Sequence, residues 1–533
     1  MEQTNARLFF GGTIETLETP DAPPPEALLV RQGRIEALGS RAALTALCPD
    51  ATAVDLEGAA LLPAFLDAHS HFTQVAYAQL QLSLQDVASD EALVEAVQAW
   101  PAKPGQWIQA RDFDHNRFPG AKNPSLAVLD RAAPRNPLVI QHQSGHMGLL
   151  NTAALQALGI TPQTPSPAGG RIEVVDGRLT GYLEENAFMD ALKKLPPPDQ
   201  SALFAAFEAA QQCYAARGIT TVQDGMVVED MFPLYEALLA RGLLRLDLTA
   251  YVSPDCLEAF RRRFPGHVGG YRGHLRLGGL KIFLDGSPQG RTAWVREPYL
   301  GGGQGYGTMS DEAVTQAMEL AGREGLQLLA HCNGDQAVAQ FLRCLAAAEQ
   351  KYPRLRTLRP VIVHGQLMGR DQLAQARDLG AMVSFFAAHV YHWGDVHLRN
   401  LGPTRAAAIS PAASALAAGL PFTFHQDAPV IQPDMFETLW CAACRETRDG
   451  VILGPEERIS PRAALEAVTR QAAWQYGEEA RKGTLAPGKQ ADLLVANRDP
   501  LVVSPEALRD CRVLATYQAG NCVYRHPDAP ADL

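Results

Sequence analysis

The stretch Ala59 to Phe72, AALLPAFLDAHSHF, joins an apolar run of strand length, Leu61 to Leu66, to two histidines set two residues apart, His69 and His71. Side chains alternate faces along a strand, so residues two apart point the same way and two imidazoles can aim at one spot. Two neutral ring nitrogens converging there suit a Zn-like metal as its first two ligands. Taken alone the pair is a weak signal, an isolated His-x-His being more often no metal site than one, so its reading depends on what the later chain adds.

Working outward, strand-like runs recur at Ile219 to Val222, Leu244 to Val252, Leu275 to Leu284, Leu326 to Ala330, Val361 to Val363, Ala381 to Phe386 and Pro421 to Phe424. Most intervals from Ile219 onward hold an Ala/Leu/Glu/Arg-rich helical stretch, such as Glu229 to Arg241 and Asp311 to Gly325. Strands alternating with helices predict an α/β fold of the (β/α)8 TIM-barrel type over 59–479. The interval 73–218 is far longer than an ordinary βα connection and contains elements of its own, including Pro137 to His142 and a helix from Ser201 to Arg217. It reads as an insertion after the first strand, expected over the catalytic face, where βα loops sit.

Short β runs separated by Gly-, Pro- and Asn-bearing turns fill the two ends: Leu8 to Phe10, Ala27 to Val30 and Arg34 to Leu38, then Ala491 to Ala496, Val513 to Tyr517 and Val523-Tyr524. Each end is too small for its own core. Pairing of 1–58 with 480–533 into one small β-sandwich is the simplest expectation.

The length of 533 residues exceeds what one core serves, so a large domain and a smaller one are expected. A formal charge of −11 without long single-sign runs argues against nucleic acid and anionic membrane as partners. The start lacks a basic then apolar leader, and no segment approaches 18 apolar residues, which reads as a soluble cytoplasmic chain. Nine scattered cysteines suit reduced thiols better than a disulfide framework, and Cys441 and Cys444 suit helix packing. A small molecule is the expected partner; oligomeric state is not legible, with a homodimer the prior expectation.

A barrel of this kind collects its chemistry at the C-terminal strand ends. His69 and His71 follow the first strand, Lys281 lies in the fourth, His331 and His364 end the fifth and sixth, and Asp427 follows the eighth. Four histidines and an aspartate so placed predict a metal site.

These segments resemble the amidohydrolase superfamily, and within it the YtcJ-like group that includes N-substituted formamide deformylases. The likeness is carried by PAFLDAHSH, LKIFLDGSPQGRTA, LLAHCNGDQAV, VIVHGQ, HQDAPV and the near-terminal GTLAPGKQADLLV, so it covers nearly the whole chain. Gln426 departs from it, the group more often having Ser before the aspartate. The resemblance implies that His69, His71 and Asp427 hold one divalent metal, His331 and His364 a second, and that a carbamylated Lys281 bridges them, zinc being the expected metal. A carbamate offers anionic oxygens where an ammonium has no lone pair; an unmodified Lys281 would leave one metal. Hydrolysis of an amide-type carbon–nitrogen bond by metal-activated hydroxide is the implied reaction, with Asp427 carrying the proton.

His146, Asp285 and Arg291 are the candidate substrate contacts, each with a loop-tying role as its alternative. His389, His392 and His397 are read as pocket wall. A mononuclear deaminase of the same superfamily is one rival; it would carry Glu three residues after His331, where this chain has Gly334. A non-catalytic binding or regulatory protein is the other, and it has no need of the full ligand set.

Overall fold

Residues that alternate between apolar runs and amphipathic stretches can bury themselves only as strands covered by helices, and the computed structural model shows them so arranged. It describes residues 6–19, 23–142 and 147–533, and at Asn116 only the backbone. The chain forms two compact units, Val75–Ala209 and the remainder, Met1–Gln74 with Ala210–Leu533.

The larger unit is built on a curled sheet of eight parallel strands. They are β1 (Phe65–Leu66), β2 (Ile219–Val227), β3 (Asp247–Val252), β4 (Leu275–Phe283), β5 (Gln327–Cys332), β6 (Val361–His364), β7 (Met382–Phe385) and β8 (Phe422–Phe424). They hydrogen-bond in chain order. Parallel neighbours need crossover connections, and helices such as Phe232–Ala240, Asp311–Glu324, Asp335–Lys351 and Arg370–Asp378 supply them. Sheets covered on both faces take continuous apolar strands, and β3, β6, β7 and β8 are buried at every position. The helix Asp311–Glu324 shows the local logic. Ser310 accepts from the Ala313 amide as N-cap, Asp311 and Glu312 stand in the positive first turn, and Gly325 ends the helix at φ 68°. Val314, Ala317, Met318 and Ala321 form its buried stripe.

The ring of ladder bonds expected of a complete barrel stops at β1 and β8, which the strand order leaves at opposite edges among the described residues. The ends are joined beyond the strands instead, where the His71 amide donates to the Ala428 carbonyl at 2.9 Å. The opening apolar run is also divided. Ala60–Pro63 pairs antiparallel with Leu493–Ala496, and only Phe65–Leu66 enters the parallel sheet. Pro63 lacks an amide hydrogen and favours a break there.

Ala60–Pro63 belongs to a five-stranded sheet with Thr13–Ile14, Leu493–Ala496, Val513–Gln518 and Asn521–Arg525. A four-stranded sheet of Arg34–Gly39, Ala27–Arg31, Ala6–Phe10 and Thr52–Asp55 lies in the same unit. Phe9, Leu28 and Val54 share one buried cluster with Leu61, Leu493, Val495 and Tyr517. Phe9 and Tyr517 meet edge to face at 5.2 Å.

The unit Val75–Ala209 carries a six-stranded mixed sheet, in which Leu82–Ser83, Ile108–Phe113 and Leu138–His142 run parallel and Met147–Leu150, Arg178–Glu185 and Gly170–Val175 follow antiparallel. No helix of the described residues is long and apolar enough to cross a membrane.

Candidate metal centre

The six predicted ligands all stand at or just beyond the C-terminal ends of the eight-stranded sheet. Ladder register places Phe283 beside His331 and Cys332 beside His364, so Lys281, His331 and His364 arrive from three neighbouring strands. His69 and His71 leave β1 on a segment stitched to β2. Ser70 Oγ donates to the Gln223 carbonyl at 3.2 Å, and the Thr73 amide donates to Asp224 Oδ2 at 3.0 Å. His364 and Asp427 hold the left-handed backbone region at φ 74° and 54°. For side-chain-bearing residues that conformation costs on the order of 1–3 kcal/mol and persists where the surroundings impose it.

Asp427 is the hub. Its Oδ1 lies 3.1 Å from His71 Nε2 and 3.5 Å from His69 Nε2, and its Oδ2 lies 3.9 Å from His364 Nε2. Lys281 Nζ is 3.1 Å from His69 Nε2. The rings of His331 and His364 meet at 4.6 Å, and His331 Nε2 lies 3.1 Å from the Gly286 carbonyl oxygen and 3.1 Å from Asn333 Nδ2.

Burial sets the charge states. It drives His69 and His364 well below the usual imidazole range and His331 down to about 4, so all three are neutral near pH 7. Burial alone would raise Asp427, but His71, His364 and His69 around it hold the carboxyl well below its usual range. The Lys281 amine is fully buried, and burial pulls it down to about 7 against the attraction of Asp427. Asp67 is pushed up to about 8 by burial, its backbone bond from His69 and its contact with Ser70 opposing.

The donor set fits a divalent cation. The ligating atoms of His69, His364 and Asp427 all lie within 4.8 Å of one another. Among the described residues Asp427 Oδ1 is buried yet meets no donor in good hydrogen-bond geometry. Imidazole nitrogens beside an ionised carboxylate are what a Zn-like ion takes.

Support behind the ligands comes from residues the sequence reading passed over. Gln223 Oε1 accepts from His69 Nδ1 at 2.6 Å, because the Gln223 amide nitrogen donates to the Ala68 carbonyl at 2.8 Å and meets the Tyr476 hydroxyl at 3.1 Å. That fixes the His69 tautomer with its Nε2 lone pair toward the site. His425, wholly buried and held down at about 3 by burial, sits 3.1 Å from His364 Nδ1 and 2.8 Å from Ser384 Oγ. Its signal was available: it stands two residues before Asp427.

The predicted substrate contacts fare differently. Asp285 is engaged by backbone, accepting from the amides of Asn333 at 2.9 Å, Gly334 at 2.7 Å and Trp294 at 3.0 Å, with no side-chain surface exposed. It ties two loops together beside His331. Arg291 donates to Asn400 Oδ1 at 3.0 Å. His146 lies outside the described residues. His389 and His397 stack on each other with ring nitrogens 2.7 Å apart, and His392 pairs with Glu437 at 2.9 Å. Gln426 turns away from the cluster to donate to Thr438 Oγ1 at 2.7 Å.

A model of the amidohydrolase family matches residues 52–524, a span that takes in every ligand above. The chain belongs to the amidohydrolase family. Within it this amidohydrolase falls in the YtcJ-like group. It is 27% identical to the N-substituted formamide deformylase of Arthrobacter pascens, with 98% of each chain covered. It is 25% identical to the Bacillus subtilis (strain 168) protein named "Putative amidohydrolase YtcJ", covering 97% of this chain and 99% of that one. Its fold matches the crystal structure of an uncharacterized metal-dependent hydrolase from Pyrococcus furiosus with a TM-score of 0.75 at 24% identity, over 93% of this amidohydrolase and 100% of that chain.

Proposed function

We propose that this amidohydrolase is a metal-dependent hydrolase that cleaves an amide-type carbon–nitrogen bond outside peptides, an N-acyl or N-formyl amine being the substrate class to test. The observation that carries the reading is the convergence of the ligating atoms of His69, His364 and Asp427, all within 4.8 Å of one another. His69, His71 and Asp427 would hold one divalent cation, with His331 and His364 available to a second. Such a cation, zinc being the first choice, polarises a carbonyl and lowers the pKa of water toward neutrality.

The chain's own residues then have distinct tasks. Asp427, ionised and facing three imidazoles, takes a proton from the attacking water and delivers it to the leaving amine. Gln223 and His425 hold His69 and His364 in orientation. Lys281, fully buried with its amine near neutrality, has the nucleophilic free-base form that reaction with CO2 requires, which supports carbamylation there; the carbamate would offer anionic oxygens to the cations. Phe386 packs 6.4 Å from the His364 ring and 5.8 Å from Trp393, supporting an apolar or aromatic group on the substrate.

The deaminase alternative loses support at Gly334. A Cβ there would meet the Trp294 carbonyl oxygen at 1.9 Å, so this position has no room for a proton-shuttling side chain.

Metal content per chain, intact mass under gentle conditions, and turnover of N-formyl and N-acyl amines test the proposal together. Two equivalents of metal with added mass of one CO2 fit the bridged site; one equivalent without it returns Lys281 to a structural role. Asp427→Asn is expected to lower turnover by roughly 10²–10⁴-fold while ligand binding persists. Metal-free protein, or undiminished turnover in that variant, overturns the reading.

A further inference from the structure

The unit Val75–Ala209 contains a second convergence of metal-ligating groups, Asp114, His115 and His142, which the proposed reaction does not use. Its origin is the same as at the larger sheet. Ile108–Phe113 and Leu138–His142 are parallel neighbours, and His142 pairs in register with Phe113. The two residues that follow Phe113 therefore emerge beside the imidazole that ends the next strand. The register shifts between Ile140 and His142, and Asp112 holds φ 63° just before the cluster. Local irregularities of this kind re-aim side chains at strand ends. The floor beneath is apolar: Phe113 packs on His142 at 6.1 Å and on Phe118 at 5.2 Å, and Ile108, Ala110 and Phe113 belong to one buried cluster with Leu129, Leu138 and Ile140.

The distances also fit a metal site. His115 Nδ1 lies 3.2 Å from His142 Nε2, His142 Nε2 lies 3.6 Å from Asp114 Oδ1, and all three donor atoms fall within 4.8 Å of one another. Ligands held at about 2.0–2.2 Å around a tetrahedral Zn ion stand roughly 3.3–3.6 Å from each other, close to both measured edges. Two imidazoles and one carboxylate also supply the donor types and the single negative charge that Zn-like cations take with a fourth position left open.

We propose that Asp114, His115 and His142 form a mononuclear site for a Zn-like divalent cation, three of its ligands being these side chains. The site stands whether or not the larger unit catalyses amide hydrolysis.

The test uses the full-length chain, stripped of metal with a chelator and titrated with Zn2+ and, in parallel, with Co2+ read by its visible absorption. His115→Gln and the isosteric Asp114→Asn are each expected to take up one equivalent fewer than wild type. Asp427→Asn is expected to keep the equivalent that these variants lose. Circular dichroism verifies the fold, and Asp114→Asn carries the test should His115→Gln unfold. Unchanged stoichiometry and affinity in the folded variants, with or without a lower melting temperature, would show a hydrogen-bonded cluster and overturn the proposal.

Discussion

Replacing Gln223 by Met tests whether the residue behind a ligand sets metal affinity. Met keeps the length and apolar stem of Gln but removes the acceptor 2.6 Å from His69 Nδ1. The Ala68 carbonyl is not orphaned, since Gln475 Nε2 also donates to it at 2.8 Å, and Tyr476 retains its bond to the Asp67 carbonyl. The one new deficit is the buried Nδ1–H of His69, worth about 1–3 kcal/mol. With the tautomer no longer fixed, Zn2+ affinity is expected to fall about 10–100-fold, or roughly 1.4–2.7 kcal/mol. Competition against a chromophoric chelator measures this directly. Gln223→Glu, which keeps an acceptor in place, is expected to stay within about tenfold of wild type. Equal affinity in wild type and Gln223→Met would refute the tautomer argument.

Acid stability should show the Asp247 network. Although burial opposes it, Lys482 and His274 hold the Asp247 carboxyl down at about 2, the ion pair measuring 2.5 Å. A depressed carboxylate stabilises the fold above its unfolded pKa, so roughly 2 kcal/mol is lost as pH falls from about 4 to about 2. Urea midpoints across that window should show this fall in wild type and a flatter profile in Asp247→Asn. Gly334→Ala should destabilise by about 1–3 kcal/mol, because its Cβ collides with the Trp294 backbone; an unchanged midpoint would disprove the collision. Ser310→Ala removes the N-cap bond to Ala313 and should cost about 1 kcal/mol in the same assay, with no effect on metal content.

The parallel strands were legible because a sheet covered on both faces writes itself as apolar runs, and the positions of the six candidate ligands because each stands in or just after one. Gln223 was missed for the same reason. The apolar reading stopped at Val222, whereas β2 continues to Val227 through Gln223 and Asp224. Polar residues buried mid-strand break the pattern when they serve neighbouring ligands. The division of Leu61 to Leu66 between two sheets was likewise hidden, since both halves are equally apolar and only pairing tells them apart. Asp285 carried a polar signal that fitted a substrate contact as well as three backbone amides.

That division has a consequence for synthesis. Ala60–Pro63 leads within a few residues to His69 and His71, yet its ladder partner Leu493–Ala496 lies some 430 residues later. At about 5–20 residues per second on the ribosome, this strand waits roughly 20–90 s for its mate. Two of the candidate ligands are thus tethered to a strand that emerges long after them. A nascent chain cut short before Leu493 would hold all six candidate ligands and still lack the strand that anchors the segment leading to His69 and His71.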